Sequence, residues 1–132
     1  MRKISLIYLL GLLLAACGAG QPQLELEADR LALGDVVNGE IVDRDVTVFN
    51  RGAGDLVVDA VSTSCGCTSA TLEPMTIPPG GSAVLHIEFD SGAHGPELTG
   101  TLIRQVFIAS NDPQRPEVIL EIEAEILPPV LP

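Results

Sequence analysis

Cys65 and Cys67, with Gly66 between them in the run Ser62-Thr63-Ser64-Cys65-Gly66-Cys67-Thr68, are the residues whose types and spacing are suited to chemistry. In an extended segment, side chains at i and i+2 share a face, and their α-carbons sit near the upper limit for a disulfide. A bend at Gly66 relieves that limit. A bridge over so small a loop removes little entropy from the unfolded chain, which makes it a weak staple and an easily reduced redox pair. The same two thiolates suit Cu(I), with Met75, His86 or His94 as a further donor. As small apolar groups, they are also a packing and turn device. Zinc is disfavoured because a closed site takes four ligands. Thioredoxin-type catalysis wants Cys-x-x-Cys at a helix start, and no helix is signalled here. The residues thus leave open a disulfide or redox pair at Cys65 and Cys67, or a copper site at Cys65, Cys67 and Met75; the first expectation is no cofactor.

The third cysteine bears on the compartment. Arg2 and Lys3 precede an apolar run over residues 4–14, too short for a comfortable bilayer span, and then Leu14-Ala15-Ala16-Cys17-Gly18. This pattern resembles a bacterial lipobox, so residues 1–16 are expected to be a cleaved lipoprotein signal peptide and Cys17 the lipidated first residue, carrying diacylglycerol and palmitate. Two or three acyl chains anchor stably where one does not. The expected location is the extracytoplasmic face of the cell membrane or outer membrane. Residues 17–23 read as the acylated cysteine and a short linker reaching about 20 Å, residues 24–127 as the folded domain, and residues 128–132 as a proline-rich tail.

Without the leader, Arg30, Arg44, Arg51, Arg104 and Arg115 face eighteen acids, with no lysine. Such a surface is repelled by nucleic acid phosphates and by anionic headgroups, so no nucleic acid partner is expected and the lipid must hold the protein to its membrane. The acids follow the strand period of a solvated face, and none is paired for acid/base work. Ser62, Ser64 and Thr68 have no histidine or acid at a hydrolase spacing. The expectation is a binding module for another envelope protein, and not an enzyme; the alternative is a Cu(I)-handling or thiol-redox lipoprotein.

Alternation locates the strands. Residues 23–28 read as an edge strand continued by Leu31-Ala32-Leu33 toward Gly34. Val46 and Val48 share one face, with Thr47 and Phe49 on the other. Residues 56–61 are β-branched; in residues 82–90, Leu85, Ile87 and Phe89 oppose His86 and Glu88. Residues 101–109 and 117–126 supply two more strands around the turn cluster Ser110-Asn111-Asp112-Pro113. The pattern predicts an all-β protein, an immunoglobulin-like β-sandwich of about seven strands, with aliphatic packing in place of the tryptophan and inter-sheet disulfide of antibody domains.

Val48-Phe49-Asn50-Arg51-Gly52, Ser64-Cys65-Gly66-Cys67-Thr68, Ile77-Pro78-Pro79-Gly80, Phe89-Asp90 and Ala109-Ser110-Asn111-Asp112 occur in the order and spacing of a bacterial family. The chain resembles the domain of unknown function 1573 family, whose hallmark is S-C-G-C-T followed by I-x-P-G, over about residues 42–126. The resemblance implies an immunoglobulin-like fold on exported, often lipidated proteins and marks Cys65 and Cys67 as candidate site residues. The doubled Pro78-Pro79 and Gly80-Gly81 depart from the pattern at that turn.

Overall fold

A computed structural model describes residues 20–131, so the leader and Cys17 lie outside the described residues. Among the described residues nine strands form: β1 (Leu24–Leu26), β2 (Arg30–Val37), β3 (Ile41–Asn50), β4 (Leu56–Thr63), β5 (Thr68–Glu73), β6 (Thr76–Ile77), β7 (Ser82–Asp90), β8 (Gly100–Ser110) and β9 (Glu117–Leu127). One sheet has the order β1-β3-β7-β5 and the other β2-β9-β8-β4-β6. The chain is an all-β, immunoglobulin-like sandwich. Along β7 every second residue, Ala83, Leu85, Ile87 and Phe89, is buried, as one-sided packing of an antiparallel strand requires. Apart from Phe89 and Cys67 the core is aliphatic, drawn from both sheets, and each large side chain buried there contributes roughly 1.5–3 kcal/mol over its exposed state. No helix among the described residues is long and apolar enough to cross a membrane.

The first strand corrects the sequence reading. It is not one edge strand but two, because the chain changes sheets: β1 pairs antiparallel with β3, and β2 pairs parallel with β9. At the crossing, the Glu27 N–H donates to the Thr47 carbonyl at 2.9 Å, and the Glu27 carboxylate accepts the Thr47 N–H at 3.0 Å. A side chain thus completes the ladder that the backbone leaves, and the Thr47 N–H holds the Glu27 carboxyl below its ordinary range. Strands β5 and β6 also went unread, which raises the count from about seven to nine.

Three of the motif segments, Val48–Gly52, Ile77–Gly80 and Ala109–Asp112, meet at one end of the sandwich. Asn50, fully buried, accepts the N–H groups of Gln23 at 3.2 Å and Gly52 at 3.0 Å and donates to the carbonyls of Gly54 at 2.7 Å and Ile77 at 2.9 Å. Its backbone exchanges bonds with Gly80 and Gly81, both at 3.0 Å. The doubled Pro-Gly segment makes an ordinary turn: Gly81 N–H bonds to Pro78 carbonyl at 2.9 Å, with Gly80 at φ 74° in the position that favours glycine. Nearby, Asp112 accepts the Leu24 N–H at 2.9 Å, and Arg51 lies 4.1 Å over the Phe49 ring.

The residues expected to be linker belong partly to this end. Ala53 N–H donates to Gln21 carbonyl at 2.9 Å and Arg51 N–H to Gln23 carbonyl at 2.8 Å. Gly52 lies so close to Gln21 and Pro22 that a β-carbon there would collide with their backbone. Residues 20–23 are therefore docked on the β3–β4 turn.

Candidate functional site

The Cys65–Cys67 segment closes the opposite end, between β4 and β5. Ser64 bonds twice to the backbone of Gln105 in β8, its N–H donating to the Gln105 carbonyl at 2.9 Å and its hydroxyl accepting the Gln105 N–H at 2.9 Å. The Thr63 hydroxyl lies 3.0 Å from the Cys65 carbonyl and 2.9 Å from that of Thr68. Asp90 of β7 donates its N–H to the Cys67 carbonyl at 2.8 Å. The hydroxyls around the cysteines therefore shape the turn, consistent with the lack of a hydrolase spacing among them.

Within this frame the Cys65 and Cys67 sulfurs are in bonding contact as a disulfide, with α-carbons 5.2 Å apart. They are not equivalent. Cys67 is buried against the core, 3% exposed, whereas Cys65 is half-buried. The Cys65 sulfur receives the Cys67 N–H at 3.1 Å and lies 3.1 Å from Nε2 of His94; the Cys67 sulfur is 3.5 Å from the Thr68 hydroxyl.

His94 had no evident place in the sequence, and its position follows from the loop after β7. Buried Ser91 accepts the Gly39 N–H at 3.0 Å, and buried Asn38 donates to the carbonyls of Gly95 and Leu98, both at 2.9 Å. Gly92 packs on Gly39, where an added β-carbon would stand 3.1 Å from the Gly39 α-carbon. The loop is thus pinned to the β2–β3 turn beside the cysteines. The signal available in the sequence was the short Ser91-Gly92-Ala93-His94-Gly95 run directly after a strand, but only the β5–β7 register reveals which cysteine it meets.

The other two proposed copper donors go elsewhere. Met75 follows β5, at the far end of a six-residue strand from Cys67, roughly 17–20 Å away. His86 lies on the outer face of β7, Nδ1 at 2.7 Å from Asp45 and Nε2 at 3.4 Å from Asp43. Its hydrogen bond to Asp45 raises its pKa against a desolvation cost, and the charges of Asp45 and Asp43 add to the rise. The donor set brought together is Cys65, Cys67 and His94, with ligand atoms within 4.8 Å of one another. As a disulfide it offers no thiolate; reduced, it offers two sulfurs and an imidazole nitrogen.

The chain bends at Gly66 as expected, the Thr68 N–H returning to the Cys65 carbonyl at 3.2 Å and the cysteine α-carbons standing 5.2 Å apart, but the bend does not require glycine there. The φ of Gly66 is not positive, and no atom lies within 4 Å of where a β-carbon would stand. Gly66→Ala should fold normally and shift stability by no more than about 1 kcal/mol; a larger loss in thermal melting would show that this turn does require glycine.

A family model for the HYDIN/CFA65/VesB-like, Ig-like domain matches residues 22–125, nearly the whole described fold. The chain belongs to this family of Ig-like domains. Curated proteins provide no sequence match to this Ig-like domain. Among solved structures it is similar to a protein of unknown function from Porphyromonas gingivalis W83, at 31% identity and TM-score 0.74, over 83% of this chain and 50% of that one. The chain therefore spans half the length of that relative. The secreted serine protease VesC from Vibrio cholerae is similar at 13% identity and TM-score 0.58, over 81% of this chain and 23% of VesC. The human CEP192 ASH/PapD-like domain 7 is similar at 10% identity and TM-score 0.61, over 83% and 89%. These last two likenesses establish the fold alone. The Ig-like sandwich is an architecture common among binding modules.

Proposed function

We propose that this Ig-like domain is a lipid-anchored module of the extracytoplasmic space, of the domain of unknown function 1573 type, that binds another envelope protein along a sheet edge with no catalytic group of its own. The observation that carries the binding role is the condition of the sheet edges. Exposed strand edges invite pairing with another chain, and proteins blunt them with short strands, bulges or charges. Among the described residues, β1 has 3 residues and β6 has 2. β2 has a register shift between Ala32 and Gly34, and β4 has one between Val58 and Ala60. The stretch of β3 beyond β1 carries Asp43, Arg44 and Asp45.

β5 is the edge with the least protection: it is not bulged, it is longer than β1 and β6, and its one charge, Glu73, stands at its last position. Its pairing with β7 runs unbroken from Thr68 to Glu73, and its outer side has no partner strand. A groove of about 740 Å³ follows it, with Val61, Ala70, Met75 and Val84 as apolar lining and Asp45 and His86 on one wall. An extended segment of a partner added along β5 would gain backbone hydrogen bonds, with apolar side chains seated in this groove. The lipobox at Cys17 supports the anchor, and the acidic domain supports a protein partner over nucleic acid.

The test is copurification of the native lipidated protein from its envelope. One stoichiometric envelope protein should accompany the wild type and be lost with Met75→Lys plus Val84→Lys, while Cys17→Ser should release the domain from membranes. An unchanged set of copurifying proteins in the groove variant would overturn the binding site; membrane retention of a correctly cleaved Cys17→Ser chain would overturn the anchor.

A further inference from the structure

We propose that Cys65 and Cys67 are a working dithiol–disulfide couple, with Cys65 as the attacking thiol, Cys67 as the resolving thiol and His94 as the donor that holds the Cys65 thiolate. This goes beyond the binding role and depends on neither the anchor nor the β5 partner. The asymmetry of the two sulfurs carries it. A sulfur on another protein can approach Cys65, which is half-buried, but not Cys67, which is 3% exposed. The reachable sulfur is also the one with donors aimed at it: the Cys67 N–H and His94 Nε2, each at 3.1 Å.

Donors on a sulfur favour its anionic form, which is the form that attacks or departs in exchange. In the tautomer or cation with hydrogen on Nε2, His94 supplies one such donor and the backbone supplies the other. Both are in place beforehand, because Ser91 and Asn38 pin the histidine loop and Ser64 and Asp90 pin the cysteine turn. A passive staple across two residues gains little from this arrangement.

The step balances as follows. In the reduced protein the Cys65 thiolate attacks one sulfur of a disulfide substrate, forming a mixed disulfide and expelling the other sulfur as a thiolate, which takes a proton from water. Cys67 then loses its proton to water and attacks the Cys65 sulfur, forming Cys65–Cys67 and expelling the second substrate thiolate. Two electrons pass from the dithiol to the disulfide, and a dithiol substrate reverses every step. The substrate class is a protein disulfide or dithiol exposed in the same compartment.

Glutathione disulfide is the probe. With the purified full-length chain reduced by dithiothreitol, Cys67→Ala should accumulate a mixed disulfide that peptide mapping places on Cys65. Adding His94→Ala should slow its formation roughly tenfold with an unchanged melting temperature, as loss of one donor to a charged sulfur predicts. His94→Gln, which keeps an N–H, should recover part of the rate. If Cys67→Ala does not fold, limiting iodoacetamide on the reduced wild type should label Cys65 before Cys67. The proposal is overturned by equal reaction at both cysteines, by a Cys65 rate no faster than that of the urea-unfolded chain, or by indifference to His94→Ala. Stoichiometric copper on free thiols of the native protein would also overturn it and make the three residues a metal site.

Discussion

Asn50→Ala should lower stability by about 4 kcal/mol, a large share of the roughly 5–15 kcal/mol of a typical domain. The side chain is 0% exposed and satisfies four backbone groups from three segments: Gln23, Gly52 with Gly54, and Ile77. Alanine fills none of these roles, and each buried group left without a partner costs about 1–3 kcal/mol where water cannot reach it. The expected fall in melting temperature is roughly 15–25 °C. Asn50→Asp sharpens the test. It keeps both acceptor positions but sets an anion against the carbonyls of Gly54 and Ile77, so burial and repulsion push this carboxyl up. With its folded pKa above its unfolded value, the stability of that variant is greatest in mild acid and is lost as pH rises. A loss under about 5 °C for Asn50→Ala would show that the turn segments hold one another without it.

Asp112→Asn should cost about 2–3 kcal/mol at neutral pH. Burial alone would raise the Asp112 carboxyl, but the N–H groups of Leu24, Gln114 and Arg115, aided by the Arg115 charge, outweigh it and hold the pKa below the ordinary 3.8. Oδ2 serves Leu24 at 2.9 Å, while Oδ1 serves Gln114 at 2.9 Å and Arg115 at 3.2 Å. Asparagine offers one acceptor oxygen for two positions and turns an amide toward an N–H. Because the folded pKa is depressed, the aspartate's contribution is fully present above the ordinary value and is lost as pH falls through the lower folded one. The stability gap between wild type and Asp112→Asn, measured by denaturant melts, should therefore hold from about pH 7 to about pH 5 and narrow from there to about pH 3 and below. A gap that stays constant over that range would remove ionisation from the account.

Most of the sheet layout was legible because burial follows period two wherever a strand carries apolar residues on one face. Leu85, Ile87 and Phe89 sit inside and His86 and Glu88 outside, as their alternation requires. β5 escaped notice because Thr68-Ser69-Ala70-Thr71-Leu72-Glu73 offers only Ala70 and Leu72 to an apolar pattern, too few to stand out from a loop. β6, two residues long, lies close to Pro74 and Pro78 and is held by its pairing with Leu56 and Val57, which is information from another part of the chain. The split of the first strand had the same cause. Alternation continues across Glu27 to Asp29, and what decides the change of sheet is the non-local pairing to Thr47 and Glu121. At the candidate site the cysteines announced themselves by type, whereas His94 stood as one of three candidate donors and could not be singled out, because its partner lies 29 residues away across a fixed loop.

The docking of residues 20–23 on the β3–β4 turn sets a vertical scale. Under the proposed anchorage, Gly18 and Ala19 are all that separates Cys17 from the folded body, a leash of about 10 Å at most. The sandwich would then stand on its Asn50 end as a short post, because so short a leash prevents it from lying far out or turning over. β7 runs from beside Asn50 to beside Cys67, so the sulfurs would be held roughly 25 Å above the footing. Such a post selects by height: a membrane neighbour whose thiols lie close to the headgroups would pass beneath Cys65, while one with thiols at the matching elevation would meet it directly.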